Sequence, residues 1–421
     1  TPKCPVCPVR SVCRSPLLPP TPEVAVPKRS TISARRRNPA RRLAWLLAPL
    51  AMLLSGACAS DPTGAAAQAC GAAPLFTALP AALSNIEGIS VIGGIDAPGH
   101  TLPTDHAGIF LSTEGATVFA PGTMQITTLR RTTYLVSPRR QGHTDFSAFF
   151  QICNAVSGWF GHLSTIAPTI PTPAGGWKNC QTYSTSSETV ESCEGTLDGV
   201  TVAAGQPVGT SGFSIALGLM SVDFGLLDSR VNNNYVARWR YPDGTFRAIC
   251  AWDQFDATNK AALYTKLSNR SRPSTVPAGE PRCGTMVVDV AGTAKGVWAL
   301  PSETQPLAGN ETGYITLANY PYRPQDELAL SVAPTTLGAM VGVVSRATTG
   351  RVNRAFEQVT NDGLVYCYGP DVLWQGRNWL LTLTSLTTLK IRMVTATVAV
   401  PNICAADPGT WSMDGAISMV R

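Results

Sequence analysis

Short apolar runs separated by glycine and proline dominate the chain beyond its first quarter. They include ATVFA, GTMQITTL, TTYLVS, FSAFFQI and GVTVAAGQPVG before residue 228, and GTMVVDVAG, GYITLANY, ELALSVA, GLVYCYG and WLLTLTSLTTLKIRMVTATVAV after residue 283. β-Branched and aromatic residues in short runs bounded by turn formers are typical of β-strands. The pattern therefore predicts a mainly β fold, with an antiparallel β domain followed by a C-terminal β-sandwich or β-barrel domain.

One segment has a helical pattern instead. In DQFDATNKAALYTKLSNR, residues 253–270, the apolar residues follow helical spacing, and either Asp253 or Asp256 can cap the N-terminus. Because about 360 residues exceed one ordinary core, we expect two domains. The helix then lies in a linking segment, 229–282, between a first domain at 88–228 and an all-β domain at 283–421.

The N-terminal region has the features of an export signal. The basic stretch RRRNPARR is followed by the apolar LAWLLAPLAMLL and the small residues SGACAS, which together resemble a secretory signal peptide at 35–59. Cleavage after Ala59 and lipidation of Cys58 are both open. Residues 1–34 are expected to be a disordered upstream extension, and 60–87 a linker with the first strand. The expected location is extracytoplasmic: periplasmic, secreted or lipid-anchored, with membrane contact only through a lipid at Cys58.

The distribution of charge argues against nucleic-acid binding. The chain has 33 Lys and Arg against 27 Asp and Glu, a formal net charge of +6. Ten of these cations and one acid precede residue 58, which leaves 23 cations and 26 acids for the remainder. A protein that binds the phosphate backbone needs a clustered cationic face. The part of the chain beyond the signal therefore offers no reason to expect a nucleic-acid partner.

Cysteine usage agrees with export. An even number of cysteines follows the signal, which in an exported chain favours disulfides. Cys180 and Cys193 flank a polar segment and are the best predicted pair. Cys250–Cys283 and Cys367–Cys404 are weaker predictions, because sequence alone does not fix connectivity. The full set is Cys70, Cys153, Cys180, Cys193, Cys250, Cys283, Cys367 and Cys404.

The four histidines lie within one window. They are His100, His106, His143 and His162. The stretch HAGIFLSTEGATVFAPG, the later FSAFFQICNAVSGWFGHLSTI and then VTVAAGQPVGTSGFS resemble, in that order, blocks of the LytM/lysostaphin-type zinc metallopeptidases, which cut peptide cross-links in bacterial cell walls. The resemblance covers residues of about 88–228. It implies a LytM-like antiparallel β domain with His106 as a zinc ligand and His162 at the catalytic-histidine position.

Two departures from the family pattern concern the metal. The family has an aspartate four residues after its first histidine, where this chain has Phe110. The terminal His-x-His aligns with SVDFGL, so that Ser221 and Asp223 stand at the two histidine positions. Asp223 can bind a metal, whereas Ser221 cannot replace an imidazole in proton transfer near neutral pH. Catalytic zinc normally has three protein ligands, and this alignment supplies one firm ligand and one further donor.

Nearby residues offer substitutes for the missing ligands. His100 lies in a loop that can fold over the site, and Asp105 precedes His106 directly. Adjacent residues of an extended strand point to opposite faces, so Asp105 and His106 can face one ion only if the chain bends. His143 is expected in a hairpin turn. The candidate site is thus His106 and Asp223 for the metal, His162 for catalysis, and His100 and Asp105 as lining residues.

Three functions follow as hypotheses. The first is an exported envelope protein whose degenerate LytM-like domain binds wall peptide or a partner protein without cutting it and without a cofactor. The second is an active zinc endopeptidase on peptidoglycan with a remodelled metal site. The third assigns carbohydrate or peptide binding to aromatic residues of the C-terminal domain, which are Trp298, Tyr314, Tyr320, Tyr322, Trp374 and Trp379.

Overall fold

The computed structural model describes residues 69–421 apart from 73, 96, 98–99, 139, 185–187, 213–219, 269–279, 308–310, 334–335, 339, 371–376 and 396–401. The signal segment at 35–59, with Cys58, lies outside the described residues. Within them, no helix is long and apolar enough to cross a membrane. Residues 61–421 cluster as one compact unit. The division of this unit into two domains, at 228 and 283, stays a prediction.

The chain is mainly β, as the apolar pattern predicts, and its strands form two antiparallel sheets. The first sheet contains β1 (Ile86–Ile89), β2 (His106–Leu111), β3 (Thr117–Phe119), β4 (Met124–Val136), β5 (Thr144–Gln151), β6 (Val156–Ile166), β7 (Lys178–Ser184), β8 (Thr189–Val202), β9 (Pro207–Ser211) and β10 (Met220–Asp228). Its order is β1-β2-β10-β6-β5-β4-β8-β7, and β9 pairs with both β3 and β6. The last strand, β10, is therefore inserted between β2 and β6.

The second sheet has eight strands in the order β14-β13-β12-β11-β18-β17-β16-β15. These are β11 (Gly296–Ala299), β12 (Tyr314–Asn319), β13 (Glu327–Val332), β14 (Met340–Ser345), β15 (Tyr366–Tyr368), β16 (Arg377–Ser385), β17 (Thr388–Thr395) and β18 (Ile417–Val420). Every residue of β13 is buried. A strand covered on both faces needs apolar side chains at successive positions, which explains why ELALSVA reads as a continuous run.

The predicted helix is present in a shorter form. Two α-helices are described, α1 (Asp243–Arg247) and α2 (Ala257–Tyr264). Of the two proposed caps, Asp256 is the one used, since its side chain accepts a hydrogen bond from the backbone N–H of Asn259.

One strand prediction is wrong. The segment GTMVVDVAG, 284–292, contains no strand beyond an isolated bridge at Gly284. Within it, the Asp289 carboxylate accepts hydrogen bonds from the backbone N–H groups of Val236 and Val297 at 2.8 Å each. Gly284 and Gly292 both have positive φ, which breaks an extended run at its two ends. The apolar composition was therefore misleading, because the hydrogen bonds of Asp289 and the two glycines determine the conformation of this segment.

Four disulfides connect the described chain. Cys180–Cys193, Cys250–Cys283 and Cys367–Cys404 are paired as predicted, and Cys70–Cys153 forms the fourth bond. Such a set of bonds indicates an oxidising environment for the folded protein.

The aromatic residues of the second half are packed in the interior. Trp298 and Trp379 are fully buried, Tyr314 is 1% exposed and Tyr320 is 5% exposed. Tyr322 is half-buried, and Trp374 lies outside the described residues. The four buried rings cannot present a face to a sugar or peptide, because they are packed in two interior core clusters. An exposed binding surface is therefore a wrong prediction for these four rings, and it stays a prediction for Tyr322 and Trp374.

Candidate functional site

The candidate site residues meet in one cleft on a face of the first sheet. Strand β10 pairs with β2 on one side and with β6 on the other, so that Asp223 lies directly opposite Gly108 and Gly161. His106 and His162 come from those two flanking strands. The cleft has a volume of about 340 Å³. Its lining includes Asp105, His106, Tyr134, Asp145, Trp159, His162 and Asp223.

Glycine leaves the space that the Asp223 carboxylate occupies. A Cβ atom at Gly161 would lie 3.1 Å from Asp223 Oδ2, and at Gly225 it would overlap the indole of Trp159. Both positions require glycine, because a methyl group there would displace a side chain that lines the cleft. Gly161 and Gly225 thus lie beneath the side chains of the site.

His162 reaches the cleft through an irregularity in β6. Phe146 pairs with Leu163 whereas Ala148 pairs with Phe160, so β6 has one residue more than β5 across this stretch. This extra residue is the mark of a β-bulge, a device that re-aims side chains beside functional sites. The φ of His162 is +57°, a conformation that L-residues with a Cβ seldom adopt. The structure therefore stores backbone strain at the residue that the sequence placed in the catalytic position.

The two imidazoles converge on a single carboxylate oxygen. Asp223 Oδ2 lies 3.3 Å from His162 Nε2 and 3.6 Å from His106 Nε2. On the far side of each ring, Nδ1 donates to another carboxylate: His162 to Asp145 Oδ2 at 2.7 Å, and His106 to Asp105 Oδ1 at 2.9 Å. The arrangement is a chain of alternating carboxylates and imidazoles, which we call the His–Asp chain.

These contacts change the pKa values of all three central groups. Burial lowers the pKa of His162, but the charge of Asp223 and the hydrogen bond to Asp145 outweigh it and raise the pKa to about 9. For His106, burial is likewise outweighed by Asp223 and Asp105, so its pKa is raised. Burial raises the pKa of Asp223, and the charges of His162 and His106 overcome this and lower it. At neutral pH His162 and Asp223 therefore form an imidazolium–carboxylate pair.

The structure brings all the predicted site residues together, but Asp105 and His100 have different relations to His106. Strand β2 begins at His106, so Asp105 lies in a bend and its carboxylate reaches His106 Nδ1. It orients the ring, and the nitrogen that faces the cleft centre remains Nε2. His100 is exposed, and its ring lies 5.4 Å from that of His106, centroid to centroid. His143 lies between β4 and β5, as expected for a hairpin turn.

Two further residues of the cleft, Asp145 and Tyr134, were not predicted from the sequence. Asp145 is on β5, beside the bulged segment of β6, and it accepts hydrogen bonds from both His162 Nδ1 and the hydroxyl of Tyr134, the latter at 2.9 Å. A signal was present, because a functional imidazole usually donates its second N–H to a carboxylate. An acid on the strand next to His162 was thus to be expected.

The two departures from the metallopeptidase pattern face each other. Ser221 on β10 pairs directly with Phe110 on β2. Phe110 is four residues from His106 on the same strand and therefore on the same face of the sheet. Neither residue is among those that line the cleft.

The donor arrangement does not match a three-ligand zinc site. One zinc ion with bonds of ~2.1 Å can join two donors at most ~4.2 Å apart. In the described part of the chain, the one group of three potential ligand atoms within 4.8 Å of one another is Cys250, Asp253 and Cys283, and its sulfurs form a disulfide. His106, His162 and Asp223 are not such a group. With these positions, each imidazole can share an ion with Asp223, but the three donors cannot hold one ion together.

Comparison with known proteins gives little similarity. No protein-family model matches the sequence, and no curated protein matches it. Among solved structures, a zinc-containing peptidase from Vibrio cholerae is similar to part of the chain, with 13% identity and a TM-score of 0.23. This match spans 37% of the chain and 38% of the peptidase. This similarity is therefore distant and partial.

Proposed function

We propose that this protein is an exported cell-envelope protein whose LytM-like, catalytically degenerate half binds wall peptide without cutting it. The single observation that carries the proposal is the His–Asp chain. The nitrogens that would hold a metal in an active relative point at one carboxylate oxygen, and the three donors together do not lie close enough to hold one ion. Binding does not need that ion, whereas peptide hydrolysis by metal-activated water does.

The cleft has the composition of a peptide-binding site. Imidazolium and carboxylate groups at its centre can bond backbone or side-chain groups of a ligand, while Trp159 and Phe149 provide apolar area beside them. Trp159 and Phe149 stack with their ring centroids 6.5 Å apart. A few convergent polar groups next to aromatic surface are usual in sites that bind without forming a covalent bond.

Wall binding and cutting can be measured on the same sample. Purified protein is mixed with peptidoglycan sacculi and sedimented, and soluble products are assayed for new amine ends with and without a chelator. We expect co-sedimentation that Trp159→Ala weakens by on the order of tenfold, because it removes a large apolar contact. Trp177→Ala is the matched control, since Trp177 packs on Phe146 and does not line the cleft. We expect no release of amine ends.

A second candidate is an active zinc endopeptidase with a remodelled site. One observation favours it: both imidazoles donate Nδ1–H to a carboxylate, as metal-bound histidines do. Asp223 and one imidazole would then hold the ion, and a third ligand would have to move towards them. Chelator-sensitive release of peptide ends, together with stoichiometric zinc in the purified protein, would establish this candidate and reject the binding proposal. If the protein neither binds nor cuts wall material, a partner protein becomes the expected ligand.

A further inference from the structure

A row of side chains crosses the first sheet from the His–Asp chain to a guanidinium. Successive cross-strand pairs connect His106 with Gly225, Gly225 with Trp159, and Trp159 with Phe149. On the next strand, β4, the Cζ atom of Arg130 lies 4.7 Å from the centre of the Phe149 ring. The row spans β2, β10, β6, β5 and β4, which is four strand spacings of ~4.8 Å, or about 19 Å.

Arg130 lies where two clefts join. It lines the cleft of the His–Asp chain and also a neighbouring cleft of about 670 Å³. Tyr183 on β7 lines both clefts as well. A ligand that runs along the row would meet the guanidinium after leaving the imidazoles, and it has space beyond Arg130 to continue.

The Arg130 guanidinium is oriented by its neighbours, but its ion pair can be exchanged for another. Its Nε and Nη2 donate to Glu194 Oε1 at 3.3 and 2.7 Å, and its plane lies against the Phe149 ring. The side chains of Arg130 and Glu194 are 39% and 41% exposed. Exposed ion pairs contribute little to stability, so another carboxylate can displace Glu194 at small cost. The aromatic contact would keep the guanidinium oriented during that exchange.

We propose that Arg130 binds a carboxylate of the peptide that occupies the cleft, and so fixes the position of that peptide relative to the His–Asp chain. This inference rests on the proposed binding function. Arginine matches a carboxylate with two parallel N–H donors, which gives both affinity and orientation. An extended chain advances ~3.3 Å per residue, so the carboxylate lies about six residues, or the equivalent length of branched peptide, from the group bound at His106.

The test uses soluble muropeptides released from sacculi by a muramidase. One portion is left untreated, and in the other the carboxylates are converted to amides. We expect wild-type protein to bind the untreated muropeptides on the order of tenfold to a hundredfold more tightly than the amidated ones, by calorimetry. Arg130→Gln should lose this difference, and Arg130→Lys should keep only part of it. Glu194→Gln should tighten binding because it removes the competing carboxylate.

Arg131→Gln is the matched control. Arg131 follows directly on β4 and points to the other face, where its Cζ lies 5.2 Å from the centre of the Trp177 ring. Circular dichroism and thermal unfolding establish that each variant is folded, and if Arg130→Gln is not, Arg130→Lys provides the comparison. Wild-type binding that is insensitive to amidation, or an equal loss in Arg131→Gln, would overturn the assignment and leave the binding function standing. Failure of the wild type to bind either preparation would overturn both.

Discussion

At the scale of the residue, the decisive feature is how His162 is presented. Its backbone is left-handed, its Nδ1 is bound to Asp145, and its Nε2 faces Asp223. Each of these constraints limits the rotation of the ring. Strained residues persist only where the surroundings over-determine them, and they concentrate at functional sites. The bulge therefore argues that the position of this imidazole has a use, even though a three-ligand metal site is not formed around it.

The strain at His162 can be measured by substitution. Glycine tolerates a φ of +57° whereas alanine does not, so we expect His162→Gly to unfold with a free energy about 1 kcal/mol greater than that of His162→Ala. Both changes remove the imidazole and its ion pairs, so the comparison isolates the backbone. Denaturant unfolding gives both values.

Ser157, at a regular position of β6, provides the control for this comparison. There the order should reverse, because glycine in a strand interior is less stable than alanine. If the alanine variant is more stable than the glycine variant at both positions, His162 does not have a left-handed backbone conformation.

Much of the site was open to sequence reasoning, and the remainder depended on geometry. The positions of His106, His162 and Asp223 could be related through the spacing of the metallopeptidase pattern. The bend that turns the Asp105 carboxylate onto the neighbouring ring could not, because alternation applies only inside a strand. Arg130 gave no signal at all, since its importance comes from the order of five strands.

At the scale of the element, runs of apolar residues identified strands better than they identified strand ends. GTMQITTL and TTYLVS read as two strands, but they are parts of the single β4. Arg130 and Arg131 interrupt the apolar pattern in the middle of this strand. The strand continues through them, since Arg130 pairs with Glu194 on one face and Arg131 lies over Trp177 on the other. Turn chemistry was the more reliable guide to the hairpin after β4, where a glycine with positive φ precedes His143.

The loop before β2 is held by a carboxylate from the second half of the chain. Glu311 Oε2 accepts the backbone N–H of Leu102 at 2.8 Å, two residues after His100. Burial raises the pKa of Glu311 to about 7, although the hydrogen bonds from the Leu102 and Thr101 amides oppose the shift. This loop is thereby tied to a group that titrates near neutrality.

Glu311 should make the stability of the protein depend on pH. Between pH 4.5 and 7 the folded state holds a proton on Glu311 that the unfolded chain has lost, so the free energy of unfolding falls as the pH rises. We expect Glu311→Gln to remove this component, which is at most about 3 kcal/mol. Denaturant titrations at pH 4.5 and 7.5 measure it.

Asp326→Asn serves as the control, because Asp326 has a side chain that is 57% exposed. A change of slope that both variants share is then not specific to Glu311. An equal slope in wild type and Glu311→Gln would mean that Glu311 ionises normally.

At the scale of the whole molecule, the loop between β1 and β2 packs in one core with the second sheet. One core cluster contains Ile95 and Leu102 from the first half together with Tyr314, Ala329 and Val343 from the second. The disulfide between Cys250 and Cys283 adds a covalent connection across the linking segment. The sequence could indicate two β-rich halves but not this shared core, because contacts between distant apolar segments leave no periodic signal.

The disulfides should contribute unequally to stability. Cys70 and Cys153 are 83 residues apart, whereas Cys180 and Cys193 are 13 apart. Since closing a longer loop restricts the unfolded chain more, the pair Cys70→Ala/Cys153→Ala should cost about 1.6 kcal/mol more than Cys180→Ala/Cys193→Ala. Denaturant unfolding of the two double variants under oxidising conditions makes the comparison. Equal losses would show that chain entropy does not set the difference.

The order of the four disulfides has a consequence for biogenesis. Each cysteine pairs with the next one along the described chain: 70 with 153, 180 with 193, 250 with 283 and 367 with 404. A chain that is threaded through a translocation channel from its N-terminus can therefore close each bond before the following pair emerges. For the eight described cysteines, oxidation in simple order of arrival gives these four pairs, so a chain exported in this way would require a thiol oxidant and would make little demand on a disulfide isomerase.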